Sequence, residues 1–308
     1  MPIDHSPLIN LSHCPLFNYL HPSKITNKIL MFTLNCKGRL LTIDQPIVMG
    51  ILNINADSFY AGSRYENNET LLETAGRMLA DGATILDIGG QSTRPGSELL
   101  DEETELSRVI PAIEAINKKF PEAFISVDTF YSRVAREAVA AGASIINDIS
   151  AGSMDEKLTD TVATLNVPYI LMHIQGTPQT MQKNPTYQNL MQELLDFFIA
   201  KTAELRGKGI KDIIIDPGFG FGKTHAHNFT LLKHLDIFKI LESPLLLGLS
   251  RKGTIYKTLE TDAEHALNGT TVLNTVGLQN GANILRVHDV KQAMEAIRLV
   301  NAVKVIDS

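Results

Sequence analysis

The sequence predicts an α/β protein, a single (β/α)8 barrel led by an N-terminal β-hairpin. Two observations carry this. From Ile47 onward, eight short apolar runs rich in β-branched residues alternate with eight helical patterns. The turns that return to a strand are short and carry glycine (Asp81-Gly82-Ala83, Ala141-Gly142-Ala143, Asn280-Gly281), whereas the long connections follow strands one, two, five and six. Alternating strands and helices build a parallel sheet covered on both faces. Eight pairs in about 255 residues fit a closed barrel whose site lies at its C-terminal face. Counting repeats leaves a doubly wound sheet as the alternative, but no glycine fingerprint follows the first strand, which weighs against it.

Taken in order, residues 1–30 show no apolar periodicity and read as a poorly ordered, flexible tail. The basic start and compact apolar centre of a signal peptide are missing. Met31 stands just before the first regular pattern and is read from its position as a candidate initiator. Phe32-Thr33-Leu34-Asn35 and Arg39-Leu40-Leu41-Thr42-Ile43 flank Cys36-Lys37-Gly38 as a hairpin with a glycine turn. The strand runs are 47–53, 84–88, 124–128, 144–149, 169–173, 212–216, 245–249 and 282–288. The helical patterns cover 69–81, 102–119, 132–141, 155–165, 187–208, 228–241, 263–279 and 290–303. No linker interrupts residues 32–303, so 31–308 is expected to be one catalytic domain.

Composition removes several function classes. A net charge of −6 gives no basic stripe for nucleic acid. No apolar run approaches the roughly 18 residues that span a bilayer. The two cysteines, Cys14 and Cys36, make neither a disulfide framework nor a metal-ligand set, so a reducing cytoplasm is the expectation.

The most informative stretch is Ile213-Ile214-Ile215-Asp216-Pro217-Gly218-Phe219-Gly220-Phe221-Gly222-Lys223-Thr224, where a buried strand stops at a carboxylate and enters a glycine-rich turn. A phosphate-cradling P-loop is excluded, because Pro217 stands where that motif needs glycine. A dinucleotide fingerprint would need glycine at Lys223. Polar groups close the other strands too: Asn53, Asp87, Asp128-Thr129, Asn147-Asp148, His173, Ser250-Arg251-Lys252, Arg286 and His288. Alternation along a strand points Arg286 and His288 the same way, and would do so for Gly248, Ser250 and Lys252 if their strand extends that far. A cation beside an imidazole suits an anionic oxygen cluster such as diphosphate.

Eight motifs in order carry a resemblance. They are Met49-Gly-Ile-Leu-Asn53 with Asp57-Ser58-Phe59; Asp87-Ile-Gly-Gly with Ser92-Thr-Arg-Pro-Gly96; Ser126-Val-Asp128-Thr129; Ile146-Asn-Asp-Ile149; Met172-His173 with Gln175-Gly-Thr-Pro178; Asp216-Pro-Gly-Phe-Gly-Phe-Gly-Lys223; Ser250-Arg-Lys252; and Arg286-Val-His-Asp289. In these the chain resembles the dihydropteroate synthases, pterin-binding enzymes of folate biosynthesis. The resemblance covers everything but the tail and part of the hairpin. It implies a TIM barrel that condenses (7,8-dihydropterin-6-yl)methyl diphosphate with 4-aminobenzoate to give 7,8-dihydropteroate and diphosphate. It further implies that Asp128, Asn147, Met172, Asp216, Gly248, Lys252 and Arg286 form the pterin pocket, with Arg286 over the pterin face. Asn53, Arg94, Arg286 and His288 would take the diphosphate, with one Mg²⁺ bridging Asn53 to phosphate oxygens. Thr93, Pro95, Phe221, Ser250 and the alkyl stem of Lys252 would take 4-aminobenzoate. By the same resemblance diphosphate leaves first and the aromatic amine captures a pterin-methyl cation, with Lys252, Asp57, Arg286 and His288 as the catalytic groups. Sulfonamide inhibition and a homodimer through the late barrel helices are also implied.

The chain departs from the family in its first loop, where Ala56 replaces a proline and Ala61 a second carboxylate, and after Lys252, where Gly253 replaces a common serine. Two other readings compete: a methyltransferase half that binds reduced folate, and a pterin-binding protein that has lost turnover. The first leaves the Thr93-Arg94 and Arg286-x-His288 clusters without a phosphate to hold. The second predicts tight pterin binding without product, which calorimetry beside an assay separates. Asp87, Asp148 and Asp289 read as structural, capping helices or tying loops to the rim. His173 reads as a locally packed residue, and Lys223-Thr224 as loop chemistry.

Overall fold

The computed structural model describes residues 31–54, 64–91 and 99–306; the expected tail lies outside them. Strands β1 (Phe32–Cys36) and β2 (Arg39–Ile43) form an antiparallel hairpin, with Phe32 opposite Ile43 and Cys36 opposite Arg39. The turn needs two left-handed residues, supplied by Lys37 (φ 55°) and Gly38 (φ 85°). Eight parallel strands follow: β3 (Ile47–Asn53), β4 (Ile85–Gly89), β5 (Phe124–Asp128), β6 (Ile145–Asp148), β7 (Tyr169–Met172), β8 (Ile213–Asp216), β9 (Leu246–Leu247) and β10 (Ile284–Val287). They pair in chain order, and β10 pairs back onto β3. Closure is made at β8, where Ile215 bridges Leu245 and its N–H donates to the Pro244 carbonyl at 2.9 Å. A ring of strands leaves no open sheet edge.

Helices α1 (Arg64–Ala80), α2 (Glu102–Lys119), α3 (Ser132–Ala141), α4 (Leu158–Leu165), α5 (Leu190–Gly207), α6 (His225–Lys233), α7 (Gly253–Thr258), α8 (Leu267–Gln279) and α9 (Val290–Ile306) connect the strands. The returning turns use Gly82, Gly142 and Gly281 at φ 107°, 130° and 103°, conformations that disfavour a side chain. No helix among the described residues is long and apolar enough to cross a membrane.

Most expected boundaries move by a few residues, α1 beginning at Arg64 rather than at 69, and two departures from expectation bear on the site. The helix expected over 228–241 is α6 followed by a 3₁₀ segment, Leu235–Leu241. It begins earlier than expected, because Thr224 caps it: its hydroxyl accepts from the His227 N–H at 3.1 Å while His227 Nδ1 accepts from the Thr224 N–H at 3.3 Å. The strand expected over 245–249 is reduced to Leu246–Leu247, and the chain turns into the unanticipated α7 through Arg251 at φ 54°.

Strand alternation sorts the barrel into an outside and an inside. Val48, Leu86, Ile125, Ile146, Leu171, Ile215, Leu247 and Leu285 face the helices and share their core. Met49, Ile85, Ile145, Ile170, Ile214, Leu246 and Ile284 face inward as one layer, against which Leu34, Cys36, Leu41 and Ile43 of the hairpin pack. Burying each of these isoleucine and leucine side chains contributes about 1.5–3 kcal/mol. The hairpin therefore seals the N-terminal end over an apolar floor.

Candidate active site

One alternation step above that floor the interior changes character. Along β4 Ile85 is followed inward by Asp87; along β5 Phe124 by Ser126 and then Asp128; along β6 Ile145 by Asn147. In the same way Met172 follows Ile170, Asp216 follows Ile214, and Arg286 follows Ile284. Strand pairing sets Asp128 beside Asn147 and Met172 beside Asp216. A polar layer thus lies on a dry floor, at the C-terminal face.

Arg286 knits one side of this layer together. Its Nε donates to Asp87 Oδ2 at 2.7 Å and its Nη2 to Asp128 Oδ2 at 2.7 Å. Asn147 Nδ2 donates to the same Asp87 carboxylate at 3.1 Å. Charge-assisted bonds of this kind fix geometry as well as energy. Burial alone would favour a neutral guanidine, but the carboxylates of Asp87 and Asp128 outweigh it and hold Arg286 above its ordinary pKa. Burial pushes the Asp128 carboxyl up to about 7, Arg286 opposing and Asp87 reinforcing the shift.

The other side is built by Asp216 and the turn from β9 to α7. Asp216 Oδ1 accepts the Gly218 N–H at 2.8 Å, and burial raises its pKa while Lys252 pulls it down. Lys252 Nζ donates to the Phe219 carbonyl at 2.5 Å and lies 4.5 Å from the centroid of the Phe221 ring. Burial lowers Lys252 to about 8, with Asp216 acting the other way. A Cβ built on Gly248 would stand 3.9 Å from both Asp216 Oδ2 and Lys252 Nζ, so glycine here keeps the space between them open. Arg251 holds the turn, its Nε and Nη2 each 2.8 Å from an oxygen of Asp289 and its Nη1 donating to the carbonyls of Ala263 and Glu264. On the rim, Ser250 Oγ lies 2.9 Å from His288 Nδ1 and accepts the His288 N–H at 3.2 Å.

Acceptors for a flat heterocycle therefore lie beside a cation and an imidazole, and residues 49–288 match a protein family described as pterin binding enzyme. The dihydropteroate synthase of Escherichia coli strain K12 is 42% identical over 268 residues, covering 86% of this chain and 94% of that protein. The chain belongs to the dihydropteroate synthases. A Yersinia pestis dihydropteroate synthase solved in a sulfonamide drug complex superposes with a TM-score of 0.83 at 40% identity, covering 89% of this chain and 100% of that one. A Xanthomonas albilineans dihydropteroate synthase solved with 4-aminobenzoic acid superposes with a TM-score of 0.81 at 40% identity, covering 88% and 98%.

Of the site residues expected for this family, the structure gathers Asp128, Asn147, Met172, Asp216, Gly248, Lys252 and Arg286 around the polar layer. Phe221 packs against Lys252, Ser250 pairs with His288, and Asn53 stands exposed at the end of β3. Asp57, Thr93, Arg94 and Pro95, with Ala56 and Ala61, lie outside the described residues. The condition for Gly248, Ser250 and Lys252 to share a strand face is not met: β9 ends at Leu247, and the chain reaches Lys252 through the left-handed Arg251.

The three aspartates read as structural divide. Asp148 ties a loop to the barrel, accepting from the N–H groups of Ser150 and Gly152 and from the Ser150 and Tyr169 hydroxyls. Asp289 ties the β9–α7 turn through Arg251. Asp87 neither caps a helix nor ties a loop; it is fully buried inside the barrel and is the shared partner of Arg286 and Asn147. Carrying the two-residue step through β4 from Ile85 finds it. Phe219 joins the outer core while Phe221 faces the pocket.

Among the described residues no group of three or more His, Cys, Asp or Glu side chains could hold a metal. Among the described residues, the hard amide oxygen of Asn53, exposed at the end of β3, is of the kind that would hold Mg²⁺ together with water and a substrate's phosphate oxygens.

Proposed function

We propose how the rim carries out the family's reaction, the condensation of (7,8-dihydropterin-6-yl)methyl diphosphate with 4-aminobenzoate to 7,8-dihydropteroate and diphosphate. Asp128, Asn147 and Asp216 accept the amino and ring N–H groups of the pterin edge, and Lys252 donates to its ring acceptors. Met172 and Gly248 line the pocket. Arg286, held edge-on by Asp87 and Asp128, presents its guanidinium plane to the ring, a stacking role an ammonium lacks. The observation that carries this reading is the buried fork of Arg286 on Asp87 and Asp128 in the same polar layer as Asp216 and Lys252, with Gly248 leaving space beside the latter two.

At the mouth, Asn53, Arg94, Arg286 and His288 receive the diphosphate. Mg²⁺, when bound there with Asn53, supplies charge neutralisation to the leaving oxygens. The bond from the methylene carbon to the diphosphate oxygen breaks, the arylamine nitrogen bonds to that carbon, and the surplus ammonium proton passes to water. Cation stabilisation and placement of a weak nucleophile provide the rate, with Asp57 a catalytic group by resemblance to the family. Thr93, Pro95, Phe221, Ser250 and the stem of Lys252 hold 4-aminobenzoate, and a sulfonamide competes for that place. Exposed Leu259 and Val272, beside α7 and on α8, support a homodimer through the late helices. The unpaired, buried thiol of Cys36 supports a reducing compartment such as the cytoplasm.

The test is to incubate the protein with both substrates and Mg²⁺ and to measure dihydropteroate and diphosphate together. Equal release of the two supports the reading, and pterin binding without product refutes it.

A further inference from the structure

We propose that Lys223 is a positioning residue of the arylamine pocket: its ammonium fills a cage of backbone carbonyls and so shapes the segment that offers the Phe219 carbonyl and the Phe221 ring to Lys252. The inference rests on the reading of that pocket given above.

The segment begins at Asp216 and doubles back on the β7–α5 connection. Gly218, Gly220 and Gly222 all take positive φ, at 73°, 81° and 61°. A Cβ on Gly218 would meet the His173 carbonyl oxygen at 1.9 Å, and one on Gly222 the Gln175 carbonyl oxygen at 2.6 Å, so backbone lies directly on backbone here. Such a path turns carbonyls into the interior, where a C=O without a donor is costly. Lys223 answers them. It is 2% exposed, and its Nζ donates to the Gly218 carbonyl at 3.0 Å and the Phe221 carbonyl at 3.1 Å, and meets His173 Nδ1 at 3.0 Å. The three ammonium protons thus meet three near acceptors, with the His173 carbonyl a fourth, longer contact at 3.4 Å.

The third acceptor is prepared for the task. Burial, assisted by Lys223, pushes His173 down to about 3, so its ring is neutral and Nδ1 can offer a lone pair. Phe197 fixes that ring edge-on, with centroids 4.9 Å apart. Lys223 itself is drawn down to about 7 by burial, Asp216 acting against the shift and Lys252 with it.

The two caged carbonyls bracket the residues that touch Lys252. Gly218 precedes Phe219, whose carbonyl accepts from Lys252, and Phe221 carries the ring under the ammonium of Lys252. Asp216, by contrast, is held in β8 by its pairing with Met172. Other bonds hold the segment elsewhere: Tyr187 donates to the Gly222 carbonyl at 2.7 Å and Gln182 to the Gly220 carbonyl at 2.7 Å. Loss of the Lys223 charge therefore falls mainly on the arylamine side; the pterin side feels it only through the Gly218 N–H that Asp216 accepts and through Lys252.

The experiment is Lys223→Met, which keeps chain length and removes the ammonium, assayed with each substrate varied in turn and with melting followed in parallel. The Michaelis constant for 4-aminobenzoate should rise about tenfold while that for the pterin diphosphate stays within about twofold, a split that general loosening of the fold would not give. Should Lys223→Met fail to fold, His173→Phe removes one cage acceptor and keeps an aromatic ring against Phe197; it should shift the same constant in the same direction. An unchanged 4-aminobenzoate constant in the variant that folds, or an equal rise in both constants, overturns the proposal. Lys252→Ala run beside it separates the two levels: if that variant also leaves both constants untouched, the pocket itself is misassigned.

Discussion

Replacing Asp87 by Asn tests the polar layer at its hub. Asp87 is fully buried and accepts from Arg286 Nε at 2.7 Å and Asn147 Nδ2 at 3.1 Å. Asparagine keeps the size but brings one acceptor where there were two, and turns an amide donor toward groups that are themselves donors. A hydrogen bond to a charged group is worth about 1.5–3 kcal/mol. At about 1.4 kcal/mol per decade, losing the Arg286 bond should cost roughly 10- to 150-fold in kcat/KM for the pterin diphosphate. Arg286 retains Asp128, so the fold should survive with a lowered melting temperature. The assay is diphosphate release with the pterin substrate varied at saturating 4-aminobenzoate, alongside calorimetry of pterin binding. Wild-type kcat/KM together with wild-type pterin affinity would refute the claim that Asp87 sets the position of Arg286.

Other consequences follow from the same geometry. Lys252→Ala loses both the bond to the Phe219 carbonyl and the contact with the Phe221 ring, and should raise both Michaelis constants about tenfold; steady-state kinetics with each substrate varied decides it. Gly248→Ala meets nothing closer than 3.9 Å, so its melting temperature should match wild type, yet its methyl stands between Asp216 and Lys252 and should weaken pterin binding at least about tenfold. Burial pushes Asp128 up to about 7 in the absence of substrate, and only its ionised form is a pure acceptor. The ionised fraction grows as pH rises, so pterin affinity should strengthen from pH 6 to 8, by up to about tenfold per unit below 7. A flat affinity over that range, measured by calorimetry, would sink the assignment of Asp128 as acceptor.

The barrel was legible in the sequence because both faces of its strands are covered and the strands therefore read as unbroken apolar runs, as 213–215 do. Strand ends were legible as carboxylates, amides and cations. Asp87 was misread for a local reason: an aspartate two residues before Gly89-Gly90 resembles a loop tie, whereas the alternation from Ile85 turns it into the barrel and its partner Arg286 lies 199 positions away. The turn carrying Lys252 was not legible because the strand expected over 245–249 ends at Leu247, and nothing local announces a left-handed arginine. Lys223 resisted sequence reading because its partners are backbone carbonyls, whose direction depends on the φ of three glycines rather than on any residue type.

The hairpin lid over the apolar floor closes one end of the barrel, so traffic through the described interior is one-sided. On the substrate placement proposed above, the pterin in the deepest polar positions is expected to arrive before the arylamine above it and to leave after it. A cup of this kind ties the sequence of its visitors to shape rather than to rate, so the order of binding should persist even in variants whose rates have collapsed.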